Sequence, residues 1–263
     1  MPPQTLPLLF HVEHDPPMTP IIAVSNQKGG VGKTTSVINL AAACGLAGLK
    51  TLVVDNDPQG NATSVLGERG RGTSIYADGQ PIPSGSRPNL WLIAAGQDLL
   101  EQEQALTRQT GGRLALKHRL APLVERFDVI FIDCPPNLSL LPINALLAAT
   151  HLLVPLQCEY YALEGLSQLL AYVDDLRESA QATLELSGIL LTMFDPNHPL
   201  AVQVEREVRQ HFSERVLPTV IPRDVALAAA PSHGKTIFDY EPLSIGGVAY
   251  LAAAKELLHG LKR

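Results

Sequence analysis

The chain is short of cysteine, aromatic residues and charge. Only three cysteines occur in 263 residues. Cys44, Cys134 and Cys158 stand far apart in apolar settings and form no CxxC pair. That spacing supports neither a metal framework nor a disulfide scaffold, and it suits a reducing compartment. The net charge is −6, so the chain lacks the basic excess of a general nucleic-acid binder. Any such contact must come from a local patch. A long apolar run is missing as well. The most apolar window, 140–156, is broken by Pro142, Asn144, His151 and Pro155, which excludes a membrane span there. The first 20 residues lack both a basic start and an apolar block, so no secretory leader is expected. What remains is 46% hydrophobic and 17% charged residues, the balance of a globular chain. Its length allows one large or two small domains.

Residues 1–19 are rich in proline and without periodicity, and read as a disordered tail or a mis-set start, with Met18 as an alternative initiator. From residue 20 strand and helix patterns alternate. Strands are predicted at 21–26, 51–55, 90–94, 128–133, 151–155, 186–192 and 216–221. Helices are predicted at 33–47, 97–106, 113–126, 138–149, 163–179, 200–212, 224–230 and 246–261. The stretch 67–89, rich in Gly, Arg, Ser and Pro, reads as a long loop with a short helix. Unbroken alternation implies an α/β fold, a doubly wound, mostly parallel sheet flanked by helices, with 20–263 as a single domain. Open α/β sheets bind ligands at the carboxyl ends of their strands, and the motifs below fall at such ends.

The first strand runs into Lys28-Gly29-Gly30-Val31-Gly32-Lys33-Thr34-Thr35, and a helix follows. Small residues let successive backbone N–H groups converge on phosphate oxygens, and the helix N-terminus adds positive potential. Lys33 is placed to reach β- and γ-phosphates, and the Thr34 hydroxyl to face Mg²⁺. The plain pattern G-x-x-x-x-G-K-[ST] is met only if Asn26 stands in for its first glycine. Lys28 is a second lysine that a plain phosphate loop does not need. The second strand ends in Asp55-Asn56-Asp57-Pro58-Gln59-Gly60-Asn61. Two carboxylates at i and i+2 suit either a metal- or water-handling loop or a turn with capping aspartates. A third apolar strand ends in Asp133, followed by the stiff Cys134-Pro135-Pro136 turn. Cys134 has no base beside it in sequence and reads as a small buried residue.

These segments together resemble the ParA/MinD-type ATPases, whose phosphate loop carries a deviant Walker A motif. Lys28-Gly29-Gly30-Val31-Gly32-Lys33-Thr34 matches that motif, Asp55 to Asn61 its switch I, and Asp133 to Pro136 its Walker B and switch II. Gln157 to Gly165 and Ala230-Pro231-Ser232-His233-Gly234-Lys235 extend the likeness to the short chromosomal partition branch. The resemblance implies slow, Mg²⁺-dependent ATP hydrolysis. Lys28 and Lys33 would contact the nucleotide, Lys28 reaching that of the opposite subunit in an ATP-bound homodimer. Asp57 would orient the attacking water, Asp55 would support Mg²⁺ or the loop, and Asp133 would hold Mg²⁺ through water or Thr34. Gly29 to Thr35 would cradle phosphate, and Met193, Pro222 and Arg223 would line the adenine. A ParB-like partner and non-specific DNA are the implied macromolecular contacts, with a cytoplasmic, nucleoid-associated location.

Two positions depart from that branch. Asn197 and Ala226 stand where it usually carries arginines that touch DNA, and each lost phosphate contact lowers affinity. Arg206, Arg209, Arg215, Arg223, Lys235, Lys262 and Arg263 are candidate substitutes or ordinary surface charges. Asn56 also departs, replacing an apolar residue between the two aspartates. The tail segment Phe10-His11-Val12-Glu13-His14 can be encoded by a DNA palindrome similar to the sites ParB proteins bind, or is a chance pentapeptide. Three rivals share much of the pattern. A MinD-like switch needs a C-terminal amphipathic basic helix. Residues 248–258 read instead as a packed alanine-rich helix, so no stable membrane binding is expected. A metabolic reductase or amidoligase is the second rival, and a positioner of non-DNA cargo is the third.

Overall fold

The computed structural model describes residues 19–67, 72–85, 87–137, 139–180 and 183–261. The 1–18 stretch, with Met18 and the 10–14 pentapeptide, lies outside the described residues, as do Leu138, Lys262 and Arg263. The strands are β1 (Ile21–Val24), β2 (Thr51–Asp55), β3 (Ile82–Pro83), β4 (Leu90–Ile93), β5 (Val129–Asp133), β6 (His151–Gln157) and β7 (Glu185–Thr192). They form one sheet in the order β3-β4-β2-β5-β1-β6-β7, parallel throughout except for the short antiparallel edge strand β3.

Side-chain alternation divides each central strand between two cores. Ile22, Val24, Val53, Val129 and Phe131 face one layer of helices: α1 (Lys33–Leu46), α2 (Asn61–Leu66), α8 (Val225–Ala229), α9 (Ile237–Tyr240) and α10 (Ile245–Gly260). Ala23, Leu52, Val54, Ile130 and Ile132 face the other: α3 (Leu99–Thr107), α4 (Ala115–Leu120), α5 (Leu140–Ala148), α6 (Ala162–Ala180) and α7 (Pro199–Phe212). Both faces are covered, which is why the central strands are apolar without alternation. The chain leaves β1 toward β2 on one side and later crosses to β6 on the other, so the strand order reverses beside β1. That reversal opens the crevice at the carboxyl end of β1.

Several local expectations are corrected. The 216–221 segment is not a strand. Leu217 and Ile221 donate N–H bonds to the Ile189 and Leu191 carbonyls of β7. Between them Pro218 has no N–H, and the Thr219 N–H and hydroxyl are taken by the Glu256 carboxylate of α10. The ladder is broken at its middle, leaving only isolated bridges. The 113–126 helix is α4 flanked by 3-10 turns at Gly112–Leu114 and Ala121–Arg126, with Pro122 interrupting the α pattern. The loop at 67–89 holds β3 as well as a 3-10 turn at Ile75–Ala77, and α2 and α9 were not anticipated. Pro155 does not end β6. Its backbone faces the β1 side, where pairing has already stopped at Leu153, so no ladder bond is lost.

Candidate functional site: a nucleotide cavity at the carboxyl end of β1

The loop from β1 to α1 needs two left-handed glycines, Gly30 at φ 74° and Gly32 at φ 87°. A side chain at either would be strained. Gly32 is the N-cap of α1 and supplies no side-chain cap, so the N–H groups of the first turn face the loop's interior. Asn26 occupies the place of the missing first glycine. It is buried, donates from Nδ2 to the Pro155 carbonyl at 2.8 Å, and accepts the Lys28 N–H at 3.0 Å. An amide does here what a bare backbone could not: it pins the loop to β6.

Asp55, Asp57 and Asp133 share the α1 face, because β2 and β5 pair in register Asp55↔Asp133 and Asp57 lies two residues on from Asp55. Lys33 is buried on the same side and donates from Nζ to the Lys28 carbonyl at 3.0 Å. Burial lowers its pKa, opposed chiefly by the negative charge of Asp133. Asp133 is fully buried, and neither carboxylate oxygen has a hydrogen-bond partner among the described residues. Burial, then the nearby Asp55 charge, pushes its pKa well up, while the Thr34 hydroxyl pulls the other way. An unpartnered buried carboxylate beside a threonine hydroxyl and a phosphate cradle is a hard-oxygen donor set, and it fits Mg²⁺ with its retained waters.

Asp55 is differently placed. Its Oδ2 accepts from both the N–H and the hydroxyl of Thr63 at 2.6 Å, and its Oδ1 accepts the Asp57 N–H at 3.2 Å. Burial nonetheless raises its pKa to about 6. These bonds tie Asp55 to the first turn of α2 and to its own loop. Thr63, two residues beyond that motif, in turn accepts the Ala95 N–H at 3.0 Å. Asp57 accepts the Gln59 N–H at 2.9 Å and faces the cavity.

The cavity is about 450 Å³, within the range of small-molecule sites. Gly30, Gly32, Lys33, Thr34 and Thr35 line it, with Asp57, Gln59, Asn61 and Pro136. Met193, Pro222 and Arg223 also line it. Their segments are joined by Phe194 N–H to Ile221 O and Arg223 N–H to Phe194 O, both 3.0 Å. Met193 takes a left-handed φ of 49° at that turn. Thr192, Ile221 and Asp224, adjacent in sequence to those three, also line the cavity, as do Leu227, Ala228 and Tyr250, which were missed. Leu227, Ala228 and Tyr250 lie outside every motif. Lys28, Gly29, Val31, Asp55 and Asp133 are not in the lining. Lys28 points outward, about half exposed, and forms an ion pair with Glu159 beside the exposed Tyr160 and Tyr161. All three cysteines are buried, and burial raises each thiol pKa, so none is an activated nucleophile.

The two departing positions differ. Asn197 is exposed, whereas Ala226 is buried in α8. Arg209 is committed to Glu205 and to the Leu217 and Pro218 carbonyls, while Arg206, Arg215, Arg223 and Lys235 are exposed. No described helix is long and apolar enough to cross a membrane. In α10, Tyr250, Ala253, Ala254, Leu257 and Leu258 are buried in the core.

An AAA domain family matches residues 19–186. The chromosome partitioning protein ParA of Myxococcus xanthus is 47% identical over 247 residues, covering 90% of this chain and 87% of that one. The sporulation initiation inhibitor protein Soj of Bacillus subtilis is 45% identical, covering 91% and 98%. Among solved structures, cobyrinic acid a,c-diamide synthase from Mycobacterium smegmatis with bound ADP and magnesium superposes with a TM-score of 0.78. It is 34% identical, covering 93% of this chain and 96% of that one. The two curated relatives share nearly half of all positions across the whole strand-loop-helix framework, and on that ground this chain belongs to the ParA/Soj family of chromosome-partitioning ATPases.

Proposed function

We propose that residues 20–263 work as one ATP-driven switch of a partition system. ATP occupies the cavity, with phosphates against Gly29 to Thr35 and the base between Met193, Pro222 and Arg223. Thr34 and Asp133 would hold Mg²⁺, which supplies charge neutralisation between the phosphates when bound. Lys33 offsets charge on the transferred phosphoryl group, and Asp57 orients the attacking water. Asp55 holds the Asp57 loop through Thr63. The observation that carries this reading is the convergence of Lys33, Thr34, Asp57 and the unpartnered Asp133 on one face of the sheet at the carboxyl end of β1. Phosphoryl transfer asks mainly for positioning and charge, and this set supplies both.

Binding of ATP closes a homodimer in which Lys28 leaves Glu159 and reaches the partner's nucleotide. The dimer binds non-specific DNA, and a ParB-like protein at a centromere-like site stimulates hydrolysis and release. With Asn197 and Ala226 in place of arginines, the exposed Arg206, Arg215 and Lys235 are the cations among the described candidates that remain to meet phosphate. DNA binding measured against salt, with ATP and with ADP, tests the reading. ATP-dependent binding that weakens steeply with salt is expected. Absence of binding with ATP at low salt would remove the partition mechanism. Turnover of ATP that depends on a small carboxylic acid acceptor would instead support an amidoligase.

A further inference from the structure

The side chain between the two aspartates is used by neither the nucleotide cavity nor the core. Asn56 is fully buried. Alternation sends its amide to the opposite side of the sheet from Asp55 and Asp57. There Nδ2 donates to the Leu141 carbonyl at 2.9 Å, in the first turn of α5, and Oδ1 accepts the Tyr76 hydroxyl at 2.9 Å. Its backbone N–H donates to the Asp133 carbonyl at 3.1 Å. One residue therefore bonds the end of β5, the helix that follows the Cys134-Pro135-Pro136 turn, and the 3-10 turn at Ile75–Ala77. Tyr76 is itself held, because its carbonyl accepts from Arg119 at 3.2 Å. Burial raises the Tyr76 pKa, so the phenol stays protonated and remains a donor. An apolar residue could fill this space but could make none of the side-chain bonds.

We propose that Asn56 is a positioning residue for hydrolysis, fixing the peptide that carries Asp57 against the Asp133 strand and α5. The proposal rests on the reading of Asp57 as the group that orients water. The peptide units on either side of Asn56 lead directly to Asp55 and Asp57, so a rotation at Asn56 re-aims both carboxylates. Among the described residues the Asp57 carboxylate has one hydrogen bond, from the Gln59 N–H within the same loop, and its backbone bonds only to Asp55 and Gly60. The tie to the rest of the protein therefore runs through its neighbours. Asp55 is tied on the α2 side through Thr63, and Asn56 on the α5 side through Leu141 and Tyr76. The two ties on opposite faces set the direction of the loop between them.

The test compares ATP hydrolysis by wild type, Asn56→Leu, Tyr76→Phe, Asp57→Ala and the Asn56→Leu/Asp57→Ala double variant, with nucleotide affinity and melting temperature measured for each. A misaimed group costs about ten- to a hundredfold in rate, so kcat of Asn56→Leu is expected to fall by that factor with ATP affinity nearly unchanged. Tyr76→Phe, which removes one hydroxyl and keeps the packing, should lower kcat in the same direction. On the Asp57→Ala background Asn56→Leu should add no further loss. Wild-type kcat in Asn56→Leu alongside a slowed Asp57→Ala would overturn the Asn56 role alone, as would an equal loss on both backgrounds. Should Asn56→Leu fail to fold, Tyr76→Phe decides, and wild-type kcat there overturns the proposal. Wild-type kcat in Asp57→Ala would overturn the underlying reading of Asp57, and this proposal with it.

Discussion

The Thr192 hydroxyl donates to the Val31 carbonyl at 2.8 Å, joining the end of β7 to the middle of the phosphate loop. Both atoms are buried, and the Thr192 methyl lies 3.8 Å from where a Cβ on Gly32 would sit. The turn that carries Met193 is thus bonded directly to the glycine-rich loop. Replacing Thr192 by Val keeps the shape and leaves a buried carbonyl unpaired, a cost of about 1–3 kcal/mol. Thr192→Val should weaken nucleotide binding roughly tenfold while the fold survives, read by titration with a fluorescent ATP analogue. Wild-type affinity would show that the bond does not organise the site.

The two loop lysines should separate cleanly. Lys33 is buried against the loop and Lys28 is turned out toward Glu159. Lys33→Ala is expected to abolish nucleotide binding. Lys28→Ala is expected to keep monomer binding and to lose ATP-dependent dimers in sedimentation. The Lys28–Glu159 pair is exposed, so either substitution there should leave thermal stability within about 1 kcal/mol of wild type. Equal dimerisation of Lys28→Ala and wild type would remove the cross-subunit role.

The buried Asp133 carboxylate is a stability cost to the nucleotide-free chain. Its carboxylate is buried without a hydrogen-bond partner among the described residues, near Asp55. Asp133→Asn removes the charge at equal size. Without nucleotide its melting temperature should rise by about 2–4 °C for each kcal/mol regained. The stabilisation that Mg²⁺ and ATP give wild type should disappear. A lower melting temperature, with the Mg²⁺ effect retained, would contradict this account of Asp133.

His151 lies at the opposite end of the sheet, at the start of β6, with Nδ1 2.7 Å from the Thr150 hydroxyl. Burial lowers its pKa below the usual 6.5, opposed by Glu185 across the ladder. The neutral form is favoured in the folded state, so the unfolded chain binds the extra proton first as pH falls. Stability from this group is present above pH 6.5 and declines as pH drops through and below that value. Melting between pH 7.5 and 5.5 should fall more for wild type than for His151→Gln, and parallel curves would rule the contribution out.

Much of the site is local in sequence, and that is why it was legible. The glycine-rich loop, the aspartates at strand ends and the apolar strands each depend on contiguous residues, and hydrophobic periodicity reports burial directly. The boundaries of β2 and α7 follow from such patterns. The 216–221 segment did not, because its pairing is undone by Glu256, a residue about forty positions away. The short elements α2, β3 and α9 are too brief for periodicity to register.

The sequence by itself determined the layered α/β architecture, the phosphate loop with its two lysines, and the presence of three acids at the ends of two strands. Only the tertiary structure decided what each group does with its neighbours. Asp55 is consumed by Thr63, Asp133 is left bare, and Lys28 is turned to Glu159. Asn56 faces away from both of its acidic neighbours. The reason is physical. Backbone geometry and side-chain period are set by adjacent residues, whereas hydrogen-bond partners and desolvation are set by whatever the fold brings within a few ångströms.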